Sequence, residues 1–407
     1  MDITNLKHPE DVRCQNTRLI LSVLRHQDSL SRTLITQQTG LSAATVSTIS
    51  SKLLRQNILR TQDGTGHIEP KISRGRPQVT LSLNPDVGCV VIVNLSFNHL
   101  DVTVLDYTGQ IRAKASDAIS TLHMSEEDLV YSLTRMINSL ISQGSTPRMP
   151  LRYIAMGVQG VVDAHGKTML WSPIIPLKNL PFSDILHKAF QVPVWIANDC
   201  NVMVEALASL HPDQYKEDFA VILLGQGIGM GLMSNGRRFV GRQSSAVEFG
   251  HMAYRPNSAL CRCGQLGCVE AYAGDYAIWR RAKGLEEHTT PVESFDPALL
   301  NDILKEARSN ENGLEREAYR EAGEALGHGL RSLFALIDPV PVAFVGHGTP
   351  AFDLLEPSIR EALERSGMML DRARIHINCY EDSASLIRQG CAVIAFRALD
   401  KQFSKMS

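Results

Sequence analysis

No run of about 18 consecutive apolar residues occurs in this chain, so nothing in it reads as a transmembrane helix. The polar N-terminal stretch has no apolar core of the kind a secretory signal needs. Together these set the expectation of a cytoplasmic chain that does not insert into membranes. Eight cysteines are scattered without disulfide-framework spacing, apart from a knot of three between 261 and 268. A net charge of −2 argues against general polyanion binding by the chain as a whole.

What is present is an ordinary globular composition, 44% apolar and 21% charged over 407 residues, enough for two or three domains. The small net charge conceals a split. Residues 1–80 hold 11 of the 41 Lys and Arg but only 6 of the 43 Asp and Glu, which leaves 30 against 37 for the rest. A basic head on an acidic body suits a local nucleic-acid module carried by a larger domain.

The head reads as helices. Residues 17–26 place Leu19, Ile20, Val23 and Leu24 on one face. Ser31 can cap a short helix carrying Leu34 and Ile35 that stops at Gly40. Leu41 turns inward, and Ser42 caps a third helix with Val46, Ile49 and Leu53 buried. Helix, glycine turn, helix is the helix-turn-helix arrangement. In the third helix Ala43, Ala44, Thr45, Ser47 and Thr48 are small and fall outside the apolar stripe, so the helix can lie deep in a major groove. A plain three-helix bundle with a Ser/Thr-rich solvent face is the competing reading. Two strands, at 58–61 and 79–83, flank a loop holding Arg74, Gly75 and Arg76, which reads as a wing with a cationic tip for the minor groove. Ser42 through Thr48 and this tip are the expected DNA contacts.

From Val87 the pattern turns to α/β. An apolar strand, a polar turn and an alternating strand open one half, and Phe219 opens a similar hairpin. A helix over 126–142 carries a Ser125/Asp128 capping box, with Leu129, Leu133, Ile137 and Leu140 on one face. Later strands are expected at 342–346 and 375–379. The duplication implies two α/β lobes with a cleft between them, a favoured place for a ligand.

His251, Cys261, Cys263 and Cys268 make a Cys₃His set suited to closed, structural zinc, one ion per chain. Gly264 and Gly267 permit the tight knuckle this spacing needs. Four protein ligands leave no open position, so the metal is not expected to be catalytic. Asn198 and Asp199 stand at a strand end, the usual place for functional residues in α/β folds.

The body resembles the ROK family of repressors, open reading frames and sugar kinases through nearly its whole length, above all in VEFGH at 247–251 and CRCGQLGCVE at 261–270. With its winged head the chain is similar to the regulator branch. The resemblance implies an actin-like, two-lobed sugar-kinase fold behind a winged helix-turn-helix. The implied division is 1–82 for the head, 83–197 with a C-terminal helix over 383–407 for the first lobe, and 198–382 for the second.

It also implies that Glu248, His251 and Glu270 hold sugar hydroxyls, that Asn198 does the same, and that Asp199 is the vestige of a catalytic base. Gly160 would contribute backbone near the sugar. His251 would give one ring nitrogen to zinc and the other to sugar. The family's phosphate loops are altered: Asn94 to Asn98 replaces an acid and two glycines, Leu223 to Gly227 lacks the expected threonines, and His347 splits Gly346 from Gly348. No catalytic residue is therefore expected.

The resulting expectation is a sugar-responsive repressor of carbohydrate genes that binds pseudo-palindromic operator DNA as a homodimer or tetramer, with a sugar or sugar phosphate as effector. A bifunctional sugar kinase with a DNA-binding head is the enzyme alternative. A regulator switched by a transporter component is the third reading.

Overall fold

Helix α1 (Pro9–His26) opens the described part of the chain in a computed structural model that covers residues 9–62, 79–142, 149–241, 247–292, 297–365 and 375–406. Its acidic first turn and basic last turn match the helix dipole. The inward face is Ile20, Leu21 and Leu24 with Thr17, while Leu19 is exposed and Val23 half-buried. The apolar stripe thus sits one residue round from the expected one, and the buried Thr17 on it is satisfied by a hydroxyl bond to the Arg13 carbonyl.

Strand β1 (Leu30–Ser31) leads into α2 (Arg32–Thr39), and α3 (Ala43–Arg55) follows. Ser31 and Ser42 cap these helices as expected, accepting from Leu34 N at 3.3 Å and Thr45 N at 3.2 Å. Gly40 closes α2 in the left-handed conformation, φ 68°. Val46, Ile49 and Leu53 are buried; Leu34, expected to help fill the core, is exposed instead, and Ile35 alone does that work from α2.

Strands β2 (Leu59–Gln62) and β3 (Thr80–Leu83) pair antiparallel, each within a residue of its expected place. The short β1 joins them, Leu30 opposite Leu81. Two residues are too few to show an alternation, so nothing in the sequence announced that strand.

The body's first sheet has the order β10-β7-β4-β5-β6. It is built from β4 (Cys89–Ser96), β5 (His99–Asp106), β6 (Ile111–Ala118), β7 (Leu151–Val158) and β10 (Val194–Asn198). Between β6 and β7 lies α4 (Glu126–Ser142), and between β7 and β10 lie β8 (Val161–Val162), β9 (Met169–Trp171) and α5 (Phe182–Phe190). The opening hairpin is β4 against β5, and β7 runs parallel to β4 with Gly157 opposite Asn94. Ser125 caps α4, and Leu129, Leu133, Ile137 and Leu140 bury its inner face.

The second sheet repeats that opening. After α6 (Asp199–Leu210), strands β11 (Phe219–Leu224) and β12 (Ile228–Ser234) form an antiparallel hairpin edged by β13 (Arg237–Phe239). Helices α7 (Glu270–Ala273), α8 (Asp275–Ala282), α9 (Pro297–Ser309) and α10 (Leu314–Ile337) follow. Then come β14 (Val342–Val345), parallel to β11, α11 (Phe352–Glu364), β15 (Ile377–Tyr380) and α12 (Ser383–Met406). Gly346, φ 111°, ends β14 one residue early.

The chain divides into two compact units, residues 1–197 with 391–407, and residues 198–390. Each has its own apolar core, one around β4, β5, β7 and α4, the other around β11, β12, β14 and α10.

Candidate functional site

The cysteine knuckle lies between a short turn at Phe249–His251 and α7. Backbone bridges pair Ala253 with Cys268 and Leu260 with Leu266, so the loop folds back on itself and brings its ligating atoms together. One donor atom each from His251, Cys261, Cys263 and Cys268 lies within 4.8 Å of all the others. His251 Nδ1 is the nitrogen on this side, 3.8 Å from Cys261 Sγ. Cys261 and Cys268 are buried, Cys263 is exposed. Burial, then the Glu270 charge, pushes the Cys261 thiol well up; burial, then Cys263, holds Cys268 at about 11. Three sulfurs and one imidazole nitrogen at this spacing could hold a metal ion, and binding would have to release the thiol protons.

Glu270 starts α7 and is buried. Its Oε2 accepts from Ile228 N at 3.1 Å, and its Oε1 accepts from Tyr276 Oη at 3.4 Å and lies 3.6 Å from Cys261 Sγ. This carboxylate therefore ties the knuckle to the turn between β11 and β12. Glu248 is the more open acid, its side chain 52% exposed, with Oε2 3.9 Å from His251 Nε2. Partial burial raises its carboxyl. His251 thus turns one nitrogen to the cysteines and the other to a half-open carboxylate.

Asn198 and Asp199 stand where β10 gives way to α6. Asn198 Oδ1 accepts from Asn201 N at 3.2 Å and caps the helix. Asp199 is only 6% exposed, accepts from Cys200 N at 2.8 Å, and has its carboxyl pushed up to about 6 by burial. The neighbouring Cys200 thiol is raised by burial, then by Asp199, with a further contribution from Glu248. Asp199 and Glu248 therefore act on one small region of the second unit. Gly160 belongs to the first unit, where a Cβ would meet the Trp171 carbonyl oxygen at 2.5 Å.

One pair escaped the sequence reading. His347 Nε2 lies 2.7 Å from Asp275 Oδ2, and Asp275 N donates to the Gly225 carbonyl at 3.0 Å. The imidazole covers Gly225 so closely that a Cβ there would stand 2.9 Å from His347 Cε1. The sequence showed His347 only as a broken glycine pair; its partner, 72 residues away, carries no local signal. In the first unit, Asn94 Nδ2 donates to Asp101 Oδ2 at 3.3 Å.

On the head, Ala43, Ala44, Ser47 and Thr48 are exposed, as is the capping Ser42, while Thr45 is half-buried. Arg74, Gly75 and Arg76 lie outside the described residues.

Residues 91–393 match the ROK family, well over half of the chain. The chain belongs to the ROK family. A xylose repressor from Caldicellulosiruptor bescii is 24% identical over 386 residues, covering 92% of this chain and 94% of the repressor. Among solved structures, a ROK family transcriptional regulator, a homolog of the Escherichia coli MLC protein, superposes with a TM-score of 0.77 at 21% identity, covering 97% of this chain and 99% of that one. A ROK family glucokinase from Streptomyces griseus, solved with glucose and AMPPNP, gives 0.60 at 23% identity and covers 76% of this chain and 99% of its own. The regulator thus shares its fold with nearly all of this chain, and the kinase with about three quarters of it. No described helix is long and apolar enough to cross a membrane.

Proposed function

We propose that this ROK protein is a sugar-responsive, DNA-binding transcriptional regulator, a repressor of carbohydrate genes, and not a kinase. The observation that carries the reading is the combination in one chain of a head whose α3 exposes small residues over its first two turns and a body with the buried acids Asp199 and Glu270 and the open acid Glu248. The head spans 1–82; α3 from Ser42 to Thr48 reads the major groove, and Arg74 to Arg76 the minor groove. Asn198, Asp199, Glu248 and His251 bind the hydroxyls of a sugar or sugar phosphate, with Gly160 supplying backbone. Glu270 acts on the sugar site mainly by holding the loop before Ile228, since both its oxygens have partners within the protein.

The metal is zinc, and its role is structural. A closed Cys₃His set has no open position, and it fixes the His251 ring so that Nε2 is left for ligand. A kinase must cradle phosphates with backbone amides and open glycine loops. Here the His347 ring lies over Gly225, and Asn94 is turned toward Asp101. Both features support the loss of transfer chemistry. The protein works in the cytoplasm as a homodimer on a pseudo-palindromic operator.

Sugar can alter DNA affinity only if it binds the two conformations of the chain unequally. The test is fluorescence anisotropy with DNA from upstream of the protein's own and neighbouring sugar genes, with and without sugars that raise its melting temperature. Sugar-dependent DNA affinity is expected. DNA binding that no such sugar changes would overturn the reading.

A further inference from the structure

Helix α12 runs through both units: Ser383–Gly390 counts with the second and Cys391–Met406 with the first. Two turns in, Gly390 rides on α6 so closely that a Cβ would stand 1.8 Å from the Val202 carbonyl oxygen. That is the helix opened by Asp199 and Cys200.

At the other end α12 grips the head. Asp400 is only 5% exposed and accepts from Arg25 Nη2 at 2.8 Å and from Tyr107 Oη at 2.7 Å, through the same oxygen. Arg25 Nη1 donates to the Tyr107 carbonyl. The guanidinium also stacks 4.1 Å from the Phe396 ring centre and 4.7 Å from that of Tyr107. A second tie joins Cys14 Sγ to the Ser404 carbonyl at 3.3 Å.

An ion pair so buried adds little net stability, because desolvation offsets attraction, and an apolar pair would hold two helices together as well. What the charged pair adds is direction: a planar guanidinium, stacked and hydrogen-bonded at once, permits one placement of α1 on α12.

We propose that Arg25 and Asp400 are positioning residues that hold the DNA-reading head in one orientation on the end of α12. This rests on the regulator reading for its DNA consequence, though not for the clamp itself.

The test uses the full-length protein with Arg25→Met, Asp400→Asn and the double variant. Amide hydrogen exchange is expected to speed at least tenfold in the last turns of α12 and the last turns of α1. Exchange in α2, α3 and the second unit should stay as in the wild type. The double variant should be no looser than either single one, because each change breaks the same pair.

Affinity for upstream DNA should fall at least tenfold while the slope of log affinity against log salt holds, since the head's phosphate contacts are untouched. Unchanged exchange overturns the clamp. Faster exchange with unchanged DNA affinity makes the pair merely structural and overturns the positioning role. If a single variant fails to fold, Tyr107→Phe, which deletes one bond to Asp400 and keeps the ring, must show a smaller loosening of the same segments, and no loosening sinks the proposal. If the wild type binds no DNA, the regulator reading fails, and the exchange arm still decides the clamp.

Discussion

Asp199 carries a cost that pH can reveal. Burial holds its carboxyl at about 6, whereas an unfolded aspartate titrates near ~3.9. The folded state therefore keeps a proton that the unfolded state releases. The contribution to stability is fully present below about pH 4 and is lost as pH rises through 6. Above that, a buried charge costs up to about 3 kcal/mol, at ~1.4 kcal/mol for each pH unit of displacement. Asp199→Asn is thus expected to unfold like the wild type near pH 4 and to be more stable by about 1–3 kcal/mol at pH 7.5. Thermal unfolding at the two pH values measures it, and a gain independent of pH would place the carboxyl at its ordinary value.

Two glycines of the knuckle separate by the same kind of reasoning. Both have positive φ, 86° at Gly264 and 84° at Gly267. A Cβ on Gly264 meets nothing within 4 Å, but on Gly267 it would stand 1.9 Å from the Arg255 carbonyl oxygen. That backbone cannot retreat, because Tyr254 N and Arg255 N both donate to the Gly267 carbonyl, at 2.8 and 3.2 Å. Gly264→Ala should cost about 1 kcal/mol and keep its metal. Gly267→Ala should lose most of it, read as zinc per chain by elemental analysis.

At the scale of the element, the head was legible wherever local chemistry decides. Ser31, Gly40 and Ser42 mark their helix ends by capping alone, and Val46, Ile49 and Leu53 mark a face by spacing. Leu19 and Leu34 misled because the neighbours that select a helix's inward face lie far away in sequence. Strand β1 and the His347–Asp275 pair were invisible for the same reason, being defined by residues 51 and 72 positions distant.

The Cys₃His knuckle was legible as a set of candidate ligands, but not as a strut. Only the fold shows Glu270 joining it to Ile228 N and leaving Glu248 as the more open acid. Removal of the metal should therefore loosen the β11–β12 turn as well as the knuckle. A strong chelator is expected to lower the melting temperature by more than 5 °C, on the order expected when ~2 kcal/mol is lost from a domain of this size, and to abolish sugar-induced stabilisation. The S42A change acts on the other element that depends on one contact. Loss of the bond to Thr45 N should destabilise the head by about 1 kcal/mol, seen in urea unfolding of the head, and leave the melting of the second unit alone.

For the whole molecule, the decisive issue is whether a fold shared with sugar kinases still transfers phosphate. An intact Asp199 does not decide it, because a buried carboxylate serves a hydroxyl equally well as base or as hydrogen-bond acceptor. The cradle decides it. Phosphoryl transfer is mostly positioning and charge stabilisation, so donors that cannot reach the phosphates remove most of the rate. The ring of His347 occupies the approach to Gly225 and is held there by Asp275, whose bond also raises the imidazole's affinity for a proton. The protein should therefore release no ADP from MgATP with any hexose, pentose or amino sugar that raises its melting temperature. His347→Gly alone should not restore turnover, since Asn94 stays bonded to Asp101. A coupled ADP-release assay on both proteins is the check, and turnover in the wild type that Asp199→Asn abolishes would return the chain to the kinases.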